Sequence, residues 1–193
     1  MKARLILYAI AALWAGFLWP RETFGQEKAK PDHYSATWVV TGGVGAGQNV
    51  PIEIRINKYN SDEDIMNLAT VLKEGGQDKL RSTLEKEDVG QLSPVGRVGV
   101  PIAVARKRVQ GSKTVIRVVT ARNLSFLELR SGGRSVDYPF TILELELDAS
   151  GKGKGSAIGA ASIRFNKKKN VYEIESLQHG ASVNKLLNVQ TWK

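Results

Sequence analysis

Tyr138-Pro139-Phe140-Thr141-Ile142-Leu143-Glu144-Leu145-Glu146-Leu147 is the stretch on which the fold reading turns. Side chains on a strand alternate between faces, so Thr141, Leu143, Leu145 and Leu147 share one side. Phe140, Ile142, Glu144 and Glu146 share the other, which passes from apolar to acidic along its length. This is the longest strand the sequence predicts. Glu144 and Glu146 lie about 7 Å apart at two residues' rise. That separation falls between the two glycosidase geometries. A solvated strand face, paired with Arg117 or Arg164 on neighbouring strands, accounts for them better than an acid/base pair.

Working outward, the same period of two recurs. Tyr34, Ala36, Trp38 and Val40 predict a first strand. Val50, Ile52, Ile54 and Ile56 predict a second, with Gly42-Gly43-Val44-Gly45-Ala46-Gly47 as a hairpin loop between them. These glycines do not make a phosphate cradle. A P-loop needs Gly-Lys-Ser/Thr opening a helix, and a dinucleotide fingerprint needs a third glycine where Gln48 stands. From Gly96 onward, strands are expected at 98–104, with Pro101 at an edge position, at 114–120, 124–129, 157–165, 171–174 and 186–192. Gly151-Lys152-Gly153-Lys154-Gly155 reads as a flexible connection, and Asn166-Lys167-Lys168-Lys169-Asn170 as a solvated hairpin turn.

Helical spacing occurs in one place. Ser61 caps a helix whose first turn carries Asp62, Glu63 and Asp64, where negative charge offsets the helix dipole. Ile65, Leu68, Ala69 and Leu72 form its apolar stripe, and Gly75-Gly76 stops it. A second helix is expected from Asp78 to Lys86. The predicted fold class is α+β: eight or nine mostly antiparallel strands in a curved sheet or partly closed β-barrel, with two helices inserted after the second strand.

The start of the chain has the order of a secretory signal. Lys2 and Arg4 precede an apolar run from Leu5 to Trp19, and Thr23 and Gly25 suit a cleavage site after Gly25. The run is shorter than the roughly 20 residues of a spanning helix. Residues 1–25 are read as signal peptide, 26–33 as a mobile lead-in and 34–193 as a single β-rich domain. The expected location is periplasmic or secreted, with no transmembrane segment after cleavage. The full chain carries a net charge of +9, of which +7 remains after residue 25. Such a surface favours anionic partners. Nucleic acid is not expected, because the basic runs lack interleaved aromatics that would stack bases.

The chain has no cysteine and two histidines, which excludes thiol catalysis and zinc-thiolate sites. His33 and His179 stand outside any metal-ligand spacing. No Gly-x-Ser-x-Gly elbow is present. No catalytic residue, metal or cofactor is therefore assigned. Leu72-Lys73-Glu74-Gly75-Gly76-Gln77-Asp78-Lys79-Leu80, Asp137 to Leu145, the turn at 148–155 and Asn188-Val189 together resemble a family of uncharacterised exported bacterial proteins. The resemblance spans about Trp38 to Val189 and implies export and a single domain. Family members tend to read Thr-Asp-Arg-Pro where this chain has Thr120-Ala121-Arg122-Asn123.

Two readings of function follow. In the first, the curved sheet holds a small apolar or amphipathic ligand without chemistry. Trp38, Phe126, Tyr138 and Phe140 would line the pocket, and Arg122 and Glu128 would fix its polar end. The same aromatics also suit an ordinary core. In the second, basic loops contact an anionic component of the envelope or a protein partner.

Overall fold

The structure is a computed structural model that describes residues 30–42, 45–124, 136–177 and 183–192. Residues 1–29, the 125–129 part of the strand expected at 124–129, residues 131–135, which the sequence Ser-Gly-Gly-Arg-Ser leads one to expect as a loop, and His179 lie outside the described residues. Among the described residues, ten strands and one helix follow the order β1 (Asp32–Val39), β2 (Asn49–Ile56), α1 (Asp62–Leu84), β3 (Gly90–Pro94), β4 (Val100–Ile102), β5 (Val104–Gln110), β6 (Lys113–Thr120), β7 (Phe140–Leu147), β8 (Lys152–Asn166), β9 (Val171–Ser176) and β10 (Asn184–Thr191). No helix of the described residues is long and apolar enough to cross a membrane.

Every strand pairing is antiparallel, and nine strands follow one path, β4-β3-β2-β1-β10-β8-β7-β6-β5. The two ends of that path, β4 and β5, are joined in sequence through Ala103 alone. The Ala103 N–H donates to the Val119 carbonyl at 2.9 Å, and the Val89 N–H donates to the Ile102 carbonyl at 2.8 Å. One bent segment thus pairs with β3 on one side and β6 on the other, and the sheet curls into a nearly closed barrel. Alternation explains its filling. Tyr34, Trp38, Ile52, Ile54, Ile56, Leu92, Ile102, Ile116, Val118, Leu143, Leu145 and Leu186 form one cluster within it, each 6% exposed or less.

Helix α1 packs outside the barrel. Ser61 caps it as the sequence predicts: its hydroxyl accepts from the Asp64 N–H at 3.1 Å, and the Asp64 carboxylate accepts from the Ser61 N–H at 2.7 Å. Asn60 fixes the entry, with its side-chain oxygen accepting from the Ala105 N–H at 2.9 Å. Leu72, Leu80 and Leu84 then pack on Ala103, Val104, Phe140 and Ala161. The helical stretch forms one element rather than two, although its backbone leaves helical geometry at the glycine pair where the sequence expects the first helix to stop. A single element runs from Asp62 to Leu84, bent at Gly76, whose φ of 71° is outside helical geometry. Gln77 clamps the bend to the barrel, donating to the Asp137 carbonyl and accepting from the Ile163 N–H, both at 3.0 Å.

Three further differences have physical causes. Strand β3 escapes the sequence reading because it is short and holds only Leu92 as an apolar residue among Gly90, Gln91, Ser93 and Pro94. The Gly-Lys-Gly-Lys-Gly segment is no flexible connection: it forms the first part of β8, the longest strand. Gly153 and Gly155 lie so close to β7 that a Cβ on either would overlap a carbonyl of Glu146 or Glu144. Finally, β1 begins at Asp32, so His33 sits within a strand, opposite Arg55, rather than in a mobile lead-in.

Candidate functional site

A cleft of about 180 Å³ opens where the end of α1 meets the segment after β6. Leu84, Pro101, Ala121 and Pro139 supply its apolar lining, and Arg81, Glu85, Glu87, Arg122 and Asn123 its polar one. Arg81 belongs to the last turn of α1 and pairs with Glu85 at 2.9 Å. The backbone of Arg122 is held by two buried threonines. The Thr120 hydroxyl donates to the Arg122 carbonyl at 2.5 Å, and the Thr141 hydroxyl lies 3.0 Å from that carbonyl and from Gly159's. Thr141 also accepts from the Leu124 N–H at 2.8 Å. The strand face that begins with Thr141 therefore ends in a polar clasp, and the clasp sets residues 121–124 against the barrel. Arg122 is exposed, whereas Asn123 is 3% exposed.

Among the described residues, those singled out from the sequence do not gather into one lined pocket. Trp38 lies in the cluster inside the barrel. Phe140 is fully buried in the cluster beneath α1. Tyr138 is half-buried, next to the Pro139 that lines the cleft. Arg122 lines the cleft. Phe126 and Glu128 lie outside the described residues. Ala121, Arg122 and Asn123 line the cleft in succession. Glu144 and Glu146 are ion-paired on the solvated face, with Arg117 and Lys113 respectively. Arg164 pairs instead with Glu175, at 3.9 Å.

A second constellation was not legible in the sequence. Asp32, Tyr34, Tyr59 and Lys107 meet at the other end of the barrel. The Tyr59 hydroxyl donates to the Asp32 carboxylate at 2.7 Å, the Tyr34 hydroxyl does so at 3.1 Å, and the two hydroxyls are 3.1 Å apart. The Lys107 ammonium lies 3.0 Å from the same carboxylate and 5.5 Å from the Tyr59 ring centre. Burial pushes the Asp32 carboxyl up, but the bonds from Tyr59 and Lys107 and the lysine charge outweigh it and hold the group below its ordinary value. Burial first, then the Asp32 charge, pushes Tyr34 up to about 12. Burial and the Tyr34 and Asp32 hydrogen bonds carry Tyr59 above the ordinary phenol range. At neutral pH the cluster is one carboxylate shared by two neutral phenols and an ammonium. Its bonds tie the start of β1 to Tyr59 and to β5. Tyr59 and Lys107 lie 27 and 75 positions from Asp32, so no local motif announces the cluster.

Among the described residues, no three His, Cys, Asp or Glu side chains gather as a metal site. No family model, curated protein or solved structure matches this chain.

Proposed function

We propose that this chain is an exported, non-enzymatic binding module that takes a small amphipathic anion in the cleft between α1 and residues 121–123. The observation that carries the reading is the cleft's composition. An apolar lining of Leu84, Pro101, Ala121 and Pro139 adjoins the guanidinium-bearing Arg81 and Arg122. Glu85, the partner of Arg81, and Glu87 stand at the rim, so that Arg122 is the contact the reading rests on. An apolar tail would be desolvated against the first group, and a carboxylate would meet the arginines, which favour bidentate contact with planar anions. The barrel interior is occupied by side chains such as Trp38, Leu143 and Leu145, which moves the ligand from inside the sheet to its shoulder. The signal-like start of the chain supports export.

Octanoate is a suitable probe, followed by calorimetric titration and by native mass spectrometry. Arg122→Ala should weaken octanoate binding by about tenfold, the loss of one charge-assisted contact, and leave the melting temperature unchanged. Hexanol, which keeps a tail but no charge, should bind the wild type and the variant alike. If the variant and wild type bind octanoate equally, or neither binds it, the cleft is not the ligand site.

A further inference from the structure

We infer that the outer face of β5, β6, β7, β8 and β10 is a docking surface for a linear polyanion. The register places its charges in rows across five neighbouring strands. One row runs Arg106, Arg117, Glu144, Ser156, Lys185. The next runs Arg108, Val115, Glu146, Lys154. Lys113 and Lys152 extend the face toward the β5–β6 and β7–β8 turns. At the ordinary strand spacing the five strands span roughly 19 Å.

The balance of charge on this face is positive. Seven cations stand there against Glu144, Glu146, Asp148 beside Lys152 at the β7–β8 turn, and Asp62, the last reaching Arg106 and Arg108 from the start of α1. Lys113 and Arg117 are paired with the two glutamates. Lys152, Lys154 and Lys185 are exposed and form no ion pair among the described residues. Arg106 and Arg117 sit directly opposite one another, and each is already neutralised, by Asp62 and by Glu144, so the uncompensated positive charge of the face rests on the lysines of β8 and β10.

The geometry of β8 makes the lysine placement compulsory. Gly153 and Gly155 face β7 at a distance no side chain could occupy, so Lys152 and Lys154 are turned outward in fixed register. The two charged rows include no aromatic side chain; Phe140 and Phe165, on the same strands, lie in the cluster beneath α1. That composition offers bases nothing to stack on and a bilayer no interfacial anchor, and it favours a polymer bound through its charges alone. The inference does not depend on the cleft, and it places the anionic contact on a strand face rather than on the basic loops expected from the sequence.

The test uses the purified chain and long-chain inorganic polyphosphate at about 50 mM salt, where exposed charges still act over more than 10 Å. Lys152→Ala, Lys154→Ala and Lys185→Ala combined should weaken binding by about tenfold or more. A control combining Lys167→Ala, Lys168→Ala and Lys169→Ala removes the same charge from the β8–β9 turn and should change it less than about threefold. Lys185→Gln alone, expected to cost about twofold, keeps the test valid if the triple variant misfolds. Binding of wild type should fall steeply with added salt. Equal losses in the two triple variants, no binding of polyphosphate, or binding only to phosphatidylglycerol vesicles would each overturn the inference.

Discussion

Replacing Tyr59 by Phe tests the reading of the barrel end. The ring stays, with its packing on the barrel cluster and its contact to Lys107, and only the hydroxyl is lost. That hydroxyl makes the shortest bond to Asp32, 2.7 Å, and stands 3.1 Å from Tyr34. A hydrogen bond to a charged group contributes about 1.5–3 kcal/mol. The Asp32 side chain is 36% exposed, so solvent screens part of this, and about 1–2 kcal/mol is expected. For a chain of this length that is a fall in melting temperature of about 3–6 °C.

The pH dependence gives the sharper result. Asp32 is held below its ordinary value of 3.8, so its stabilisation is fully present above that pH and is lost as pH falls through the lowered native value. Part of that depression comes from Tyr59. The stability gap between wild type and Tyr59→Phe should therefore be full at neutral pH and shrink below the ordinary Asp range. Urea unfolding at neutral pH, near the ordinary Asp value and about one unit below it, followed by tryptophan fluorescence, measures the gap. A gap that is the same at all three, or absent at neutral pH, would refute the shared-carboxylate account.

Other expectations follow from the same geometry. Tyr34, raised from 10.0 to about 12, stabilises the fold fully below pH 10 and ceases to do so as pH rises through its native value; in an alkaline titration followed by tyrosinate absorbance, Tyr34 and Tyr59 should ionise only with unfolding. Gly155→Ala drives a Cβ into the Glu144 carbonyl and should cost more than about 2 kcal/mol or abolish soluble expression, whereas Gly111→Ala, in an open turn at φ 61°, should cost about 1 kcal/mol in urea unfolding. Leu143→Ala, fully buried inside the barrel, should cost about 2–5 kcal/mol, and Ile174→Ala, 55% exposed on β9, less than about 0.5 kcal/mol. Ser61→Ala removes the capping bond to Asp64 and should cost about 1 kcal/mol in the same assay.

Where a strand of seven or eight residues buries one face and wets the other throughout, the pattern of residues was enough, whereas β3, which is short, and β5, whose second half is exposed on both faces, escaped it. Phe140 to Leu147 and Val50 to Ile56 read correctly because burial on one side imposes a period of two. The Ser61 cap was legible for a similar reason: its partners lie within three residues. The sequence offered Arg117 or Arg164 as partner for the glutamates, and the strand register selects Arg117 for Glu144.

What the sequence by itself determined about this protein is local: an antiparallel β-rich chain, the place of its helix, and the face each strand buries. Those properties rest on side-chain periodicity and near-neighbour hydrogen bonding, which a short window contains. Only the tertiary structure decided that the segment around Ala103 joins β3 to β6 and nearly closes the barrel. Only it turned a glycine-lysine run into ordered strand, set Trp38 and Phe140 in different clusters, and brought Asp32, Tyr34, Tyr59 and Lys107 to one point. Each of these depends on contacts between residues far apart in sequence, and backbone proximity such as that of Gly155 to Glu144 exists only once the strands have paired.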